Sequence, residues 1–413
     1  MFIYFFNRKN KMNILLTAYN SLGHGGAEIS TKLLAEKFKE FGHKAIIASS
    51  QEYPGIDTKI FKRFKIPFYE YNTFYLTNFL RKVIKEENID IVYPQDRLTA
   101  IAAIKAAKKE NIKVIPHFRD FWFACPRSSC LAPDNSLYDV CSYKTILKKF
   151  PRKRLLWDLY KWNYTKRNWK VIEKADAKFV NIRQTIEKLN LCGIKENIHI
   201  IPVARDLRLF ENVDGSYLKK NYNFNKNIVT FVGKILKNNG IDILIKIIPM
   251  VLKENKEITF LIIGDGDMMD NLKSMIRLNN LESNVILTGR VPLEKVVDFL
   301  DISDMVILPQ IWKDSFAAVF LEAGAMRKPV IISDIGAVQD MKEEFKLLVK
   351  PFDYNGWKEA ILKLVNDKNL RKRLGKNGRK MVEEKYSIDI VARKIEKVFK
   401  KVLSEKNGVQ FDN

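Results

Sequence analysis

A chain of 413 residues, 46% hydrophobic and 29% charged, is long enough for two or three packed domains of about 100–200 residues each, and its composition excludes collagen-like and largely disordered classes. The 72 Lys and Arg against 48 Asp and Glu leave a net charge of +24, which implies attraction to something anionic: nucleic acid, an anionic membrane surface or a phosphorylated substrate. The 4 Cys make no disulfide scaffold, the 4 His furnish no zinc enzyme with several His ligands, and no apolar run reaches the roughly 18–20 residues that span a bilayer.

Residues 1–11 read as a lead-in. The apolar stretch 2–6 is shorter than the roughly 7–15 residues of a signal-peptide core, so a cytoplasmic, unprocessed chain is expected. Met12–Ala18 then reads as a buried strand. Ala27–Phe41 reads as a helix, with Ile29, Leu33, Leu34, Phe38 and Phe41 at helical spacing and Gly42 as its stop. Ala45–Ser49, Asp90–Tyr93 and Lys113–Pro116 read as strands, the last two separated by an Ala-rich helix over Leu98–Lys108. Between Phe118 and Ala175 the alternation lapses. It resumes with a strand at Lys178–Ile182, a helix to Leu191 and a strand at Asn197–Ile201, and Pro202 to Gly215 reads as a connector.

A second series follows. Strands are expected at Ile228–Val232, Glu257–Ile263, Asn284–Leu287, Met305–Leu308, Pro329–Ser333 and Leu347–Val349. Helices are expected over Ile241–Lys253, Met268–Asn279, Leu293–Leu300 and Phe316–Met326 between them, and over Ser387–Leu403 at the end, with Ser387 as N-cap. This βα rhythm predicts an α/β protein of two Rossmann-like, doubly wound parallel-sheet domains facing a cleft, over 12–205 and 206–386, with 387–413 as a final helix and tail.

In parallel sheets ligands sit beyond the carboxyl ends of strands, and several loops fall there. Gly23-His24-Gly25-Gly26-Ala27-Glu28 follows the first strand and opens its helix. Gly233-Lys234, with Lys237 and Asn239-Gly240, does so in the second series, where lysines beside a helix start suit a diphosphate. Gly264-Asp265-Gly266 ends another strand and opens a helix, and plain turn chemistry is the favoured explanation of it. The sharpest constellation is DSFAAVFLEAGA, residues 314–325. Ser315 is a good N-cap that leaves amides near Phe316 and Ala317 to face a phosphate. Glu322, on an otherwise apolar helix, needs a partner if buried; a ribose diol or an ion pair would serve.

The order GGAE, GK…NG, IIGDGD, a strand ending LPQ, D-x7-E, KPVIIS and SDIGAVQD resembles the retaining GT-B glycosyltransferases of family 4 over roughly residues 12–400. The resemblance implies a nucleotide-diphosphate sugar bound by the C-terminal domain and a glycan or lipid-linked acceptor bound by the N-terminal domain. It implies no catalytic metal and no cofactor beyond the sugar nucleotide. It places Lys234 where the family has Arg, and Asn239 where it usually has Lys, as diphosphate ligands with Gly233 and Lys237. Asp314 stands at the first acid of the family's E-x7-E and is implied to hold donor-sugar hydroxyls. Glu322, the second acid, is implied to hold the ribose. Phe316-Ala317 replaces Phe-Gly, Asp340 occupies a position that is commonly Glu, and Arg290-Val291 lies where the base is contacted. Gly26 and Gly264 lie near the donor. Ile201-Pro202-Val203-Ala204-Arg205-Asp206 is similar to the family's I-P-N-G-V-D connector, and the final helix to the segment that crosses back to the first domain.

His117-Phe118-Arg119-Asp120-Phe121-Trp122, before Cys125-Pro126, is similar to an acceptor-side loop, with His117 and Asp120 as catalytic candidates and Arg119 and Trp122 facing the acceptor. Cys125, Cys130 and Cys141 lack the C-x2-C pair usual for zinc and read as reduced thiols, with a zinc or iron–sulfur site as the alternative. Residues 144–174 carry 11 Lys or Arg against two acids, interleaved with Phe150, Trp157, Tyr160, Trp162, Tyr164 and Trp169. Such a segment suits an anionic membrane interface on the inner face of the cell membrane; the alternative is a basic helix packing its aromatics on the core. The functional reading is a sugar transferase of cell-surface polysaccharide or glycoconjugate synthesis. A catalytically reduced GT-B scaffold in a glycan-assembly complex is the second reading. RNA binding ranks last, because no RNA-binding module is recognisable.

Overall fold

The computed structural model describes residues 11–19, 26–63, 68–132, 136, 138–312, 318–341 and 345–405. Asp314, Phe316 and Ala317, most of the lead-in and residues 20–25 of the first glycine loop therefore lie outside the described residues, as does the side chain of Asp340. The chain divides into two compact units, Met1–Ala204 with Ile388–Asn413, and Arg205–Ser387.

In the first unit, β1 (Asn13–Ala18), β2 (Lys44–Ser49), β3 (Asp57–Ile60), β4 (Ile91–Pro94) and β5 (Lys113–Val114) form a parallel sheet in the order β3-β2-β1-β4-β5. A second parallel sheet orders β6 (His117–Phe118), β7 (Lys178–Val180) and β8 (Ile198–Ile200) as β6-β7-β8. Residues 113–118 serve both. Val114 O accepts from Asp176 N at 3.0 Å, and Pro116 O accepts from Phe179 N at 2.8 Å. Pro116 has no N–H to donate, so the expected strand Lys113–Pro116 is interrupted there and resumes at His117.

Several elements go beyond the sequence reading. The strand β3, the helix Tyr69–Glu86 and the helices Tyr354–Asn366 and Lys368–Met381 have no counterpart in it, and the lapse after Phe118 holds the helices Tyr143–Lys149, Leu155–Arg167 and Trp169–Glu173. The final helix Ile388–Ser404 is strongly amphipathic and buries Val391, Ile395, Phe399 and Val402. Phe399 inserts among Phe38, Tyr93 and Phe179 with ring centroids at 5.8, 5.3 and 6.1 Å. Each such aromatic pair adds roughly 0.5–1.5 kcal/mol beyond its burial. This helix is thus part of the first unit's core.

In the second unit, β9 (Asn227–Val232), β10 (Ile258–Ile263), β11 (Val285–Gly289), β12 (Met305–Leu308), β13 (Val330–Ser333) and β14 (Lys346–Val349) form one parallel sheet, ordered β11-β10-β9-β12-β13-β14. All of Ile258–Ile263 is buried, as a strand covered on both faces requires. The helix Ile241–Glu254 buries Ile241, Leu244, Ile248, Val251 and Leu252 against this sheet's core. The helix Lys368–Met381 is capped by Asp367, whose carboxylate accepts from Leu370 N at 2.8 Å. Its Gly378 lies against Gly324 of the helix Ala318–Ala325, so the two backbones touch and fix that helix in place.

Candidate active site

The strand order of the second sheet reverses between β9 and β12, which opens a crevice at their carboxyl ends. Three loops meet there. Gly264, after β10, has φ +139°, and a Cβ on it would lie 1.9 Å from Gly233 O, after β9. Gly240 has φ +83°, and its Cβ would lie 1.8 Å from Pro309 O, after β12. No L side chain fits either place, so these glycines are demanded by loop-on-loop packing before any ligand is considered. Ile311 N donates to Asn238 O at 2.9 Å and closes the same contact.

The expected diphosphate ligands sit on this packed edge. Lys234 is exposed, and among the described residues its ammonium has no partner. Lys237 is exposed and lies 3.8 Å from Asp242, an exposed pair that holds it weakly. Asn239 does something else: its amide donates to Lys234 O at 2.8 Å and braces the loop that carries the lysines. Gly240 immediately precedes the helix Ile241–Glu254, whose first amides add a partial positive charge at this edge. Gly289 O accepts from Gly264 N at 2.9 Å, which brings the exposed Arg290 and the half-buried Val291 beside the β10 loop.

Glu322 lies on the helix Ala318–Ala325, which follows β12. Its side chain is only 8% exposed, and its Oε1 stands 3.2 Å from Nε of Arg205, itself 9% exposed. A carboxylate removed from water needs such a partner. Sequence reasoning left an ion pair open but did not single out Arg205, although an arginine in an apolar connector position was the available signal.

The reversal in the first sheet lies between β1 and β4, and it is filled differently. Thr17 Oγ1 donates to Thr99 Oγ1 at 2.8 Å, and Asp96 accepts from the amides of Leu98 and Thr99 at 2.7 and 2.9 Å and from that of Tyr19 at 2.5 Å. Burial, opposed by those hydrogen bonds, pushes the Asp96 carboxyl up to about 6. His117 is buried between Tyr93 OH and Asn181 Oδ1, both at 2.8 Å, and burial, with the nearby Arg119 charge, lowers its pKa well below the usual histidine range. Both ring nitrogens are thus engaged by protein groups. Trp122 is buried and stacked on Phe118 with ring centroids 5.5 Å apart. Asp120, half-buried, accepts from Trp122 N at 2.8 Å in a local turn, and Arg119 donates to Gln95 Oε1 at 2.5 Å.

The three loop cysteines are buried and unoxidised. Cys125 Sγ lies 2.9 Å from Tyr138 OH. Among the described residues no group of three His, Cys, Asp or Glu side chains could hold a metal ion, so the zinc or iron–sulfur alternative finds no support there. The basic segment also differs from its interfacial reading. Phe150, Trp162 and Tyr164 are buried, and Trp157 and Tyr160 stack with Tyr69 at 5.9 Å each. Its aromatics pack inward, while Leu156 stands 83% exposed. Among the described residues no helix is long and apolar enough to cross a membrane.

Two units, each with a parallel sheet of Rossmann type, define the GT-B fold. A solved glycosyltransferase from Rickettsia africae has the same fold, with TM-score 0.73 at 20% identity over 95% of this chain and 99% of that one. Anabaena Alr3699/HepE, solved in complex with UDP, aligns with TM-score 0.73 at 16% identity over 94% of this chain and 100% of its own. The family "Glycosyltransferase Family 4" matches residues 24–209, and "Glycosyl transferases group 1" matches residues 218–381. The chain belongs to the family 4 glycosyltransferases of the GT-B fold. The capsular polysaccharide biosynthesis glycosyltransferase CapM of Staphylococcus aureus is 29% identical over 202 residues, 48% of this chain and 52% of that protein. The chain spans about half the length of the curated relatives it matches.

Proposed function

We propose that this protein transfers a hexose-type sugar from a nucleotide-diphosphate sugar to a glycan or lipid-linked acceptor, with retention of configuration and without a metal ion, in cell-surface polysaccharide or glycoconjugate synthesis. The observation that carries this reading is the carboxyl edge of the second sheet. There Lys234, Lys237 and the amino end of the helix Ile241–Glu254 gather positive charge on a braced loop, and Glu322 stands on a helix that follows the neighbouring strand. CapM, a capsule glycosyltransferase by name, and a UDP-bound relative of the same fold support the pathway class and a UDP-type donor.

In this mechanism the bond from the anomeric carbon to the diphosphate oxygen breaks, and the electron pair leaves with the diphosphate. Lys234, Lys237 and the helix amides stabilise that charge, in the way preorganised dipoles serve a developing anion. The acceptor oxygen attacks from the face the leaving group vacates, and its proton passes to the departing phosphate. These positive groups do the work a divalent ion would otherwise do. Asp314, implied by the resemblance to hold the donor sugar, completes the proposed site; acceptor recognition falls to the first unit, where Arg119 and Asp120 remain candidates.

A donor panel of UDP-, GDP- and ADP-sugars with a membrane-extract acceptor tests the reading. Release of nucleoside diphosphate that survives EDTA is expected. Silence with every donor would favour the scaffold reading, and salt-sensitive RNA binding without nucleotide binding would favour the third.

The acceptor is proposed to be met at an anionic membrane, on the cytoplasmic side. The support comes from a different surface than the aromatics of 144–174. Phe74 is 69% and Phe68 57% exposed on and beside the helix Tyr69–Glu86, which packs on Leu155–Arg167 through the stacked Tyr69. Exposed Tyr71 and Leu156 and the cations Arg152, Lys153 and Arg154 belong to the same two elements and their entry turn. Apolar groups beside cations suit an anionic headgroup layer. Binding to phosphatidylglycerol vesicles is expected to fall at least fivefold in the Phe74→Ser, Leu156→Asp double variant; unchanged binding removes the membrane from the proposal.

A further inference from the structure

Arg205 is an anomaly twice over. It opens the second unit at a connector position where the similar I-P-N-G-V-D pattern carries an apolar residue, and its guanidinium turns inward rather than to solvent. Its backbone is pinned: Arg205 N donates to Tyr386 O at 2.8 Å, and the residue bridges to Ser387. Next to it, Asp206 is locked to Arg208 by paired contacts at 2.9 and 2.7 Å. Glu322 is equally fixed. Its helix touches Gly378 at Gly324, and Arg379 Nη1 donates to Ala325 O at 3.0 Å.

An isolated buried ion pair is a poor way to gain stability, since an apolar pair of similar volume commonly does as well. What the pair does give is direction. A carboxylate has about four acceptor positions; the Arg205 guanidinium stands against one oxygen, Oε1, at 3.2 Å and holds that side of the group by its charge, which leaves the other oxygen to a ligand. The remaining acceptor capacity of an ionised, oriented carboxylate matches the two O–H donors of a ribose diol. We propose that Arg205 is the positioning residue of the donor's ribose: it orients Glu322 and supplies its countercharge, and through it sets discrimination between ribose and deoxyribose. This rests on the donor-site reading above. Arg205 acts through Glu322 and touches no reacting atom.

The test measures binding of UDP, GDP and ADP, each paired with its 2′,3′-dideoxy analogue, by calorimetry on the full chain. The unmodified protein is expected to bind one ribonucleotide at least tenfold tighter than its dideoxy form. In Arg205→Gln that ratio falls below threefold, chiefly by weakening the ribonucleotide, and donor KM rises while kcat changes less. Arg205→Lys, which keeps charge but loses the planar fork, restores part of the ratio. A merely structural role would weaken both analogues together and leave the ratio intact; that result overturns the proposal. If Arg205→Gln does not fold, Arg205→Lys decides alone: its ratio must drop at least threefold, and an unchanged ratio overturns the proposal. A protein that binds a ribonucleotide with an unaltered ratio in the variants sinks only the Arg205 assignment. A protein that binds none of the three sinks the donor-site reading, and this with it.

Discussion

Both main sheets reverse strand order once, between β1 and β4 in the first unit and between β9 and β12 in the second, yet the two crevices are furnished in opposite ways. In the first, several described polar groups pair with one another: Thr17 with Thr99, Asp96 with three amides, His117 with Tyr93 and Asn181, Arg119 with Gln95. In the second, backbone packs against backbone, and Lys234 and Lys237 are left at the surface with little to hold them. The same topology therefore yields a braced wall in one unit and an uncommitted cationic edge in the other. Topology says where a ligand could sit; the state of the side chains decides where one is invited.

The contrast is most exposed to failure at Glu322. Glu322→Ala is expected to abolish turnover and, by stranding the Arg205 charge, to cost about 3–5 kcal/mol in urea unfolding. Normal activity would remove the ribose assignment. Next comes a pair of glycines. Gly264→Ala drives a methyl group into Gly233 O and should cost about 1–3 kcal/mol while raising donor KM. Gly42→Ala, at φ +85° with open space around it, should cost about 1 kcal/mol through backbone conformation alone and leave KM untouched. Equal effects on KM would erase the distinction between the units.

Smaller still, Lys234→Ala should weaken nucleoside diphosphate binding by about tenfold, near 1.4 kcal/mol, and flatten its salt dependence. Arg119→Ala, in the braced crevice, should leave that affinity where it was. The least effect is on pH. Burial holds His43, His117 and His199 below 6.5, so the unfolded chain takes up protons first as the medium acidifies. Their contribution is complete above pH 6.5 and is lost as pH falls through that value toward the lower folded-state values. Asp96, raised to about 6, acts oppositely: the folded state gains its proton first, which offsets the loss below pH 6. Thermal unfolding midpoints should therefore drop as pH falls from 7, less steeply below pH 6 where Asp96 takes up its proton in the folded state, and His43→Gln should reduce the drop. A midpoint that is flat over that interval would contradict the buried, neutral histidines.

The strands of the second unit were legible because each is a short run dominated by apolar and β-branched residues between polar punctuation, as in Ile258–Ile263. The helix Tyr69–Glu86 was not. Its large apolar residues lie on both faces, Tyr71 and Phe74 outward and Leu76 and Leu80 inward, so no single apolar stripe stands out. At the site, Lys234 and Glu322 could be placed by their order along the chain. That Asn239 braces a loop, or that His117 is enclosed, depends on partners five residues away in one case and 24 and 64 residues away in the other. Linear spacing carries no trace of the second kind. Arg205 was visible only as a departure from a pattern, and what it departed toward had to be seen in three dimensions.

The helix Ile388–Ser404 supplies Val391, Ile395, Phe399 and Val402 to the core of the unit that begins at the amino terminus. The half made earliest on the ribosome is therefore sealed latest. Until residue 399 emerges, Phe38, Tyr93 and Phe179 have no lid, while Arg205–Ser387 already has all its parts. A nascent chain in that condition lacks the helix that buries those three rings for the whole time its other half is being synthesised, and apolar surface left bare in that way is prone to aggregation.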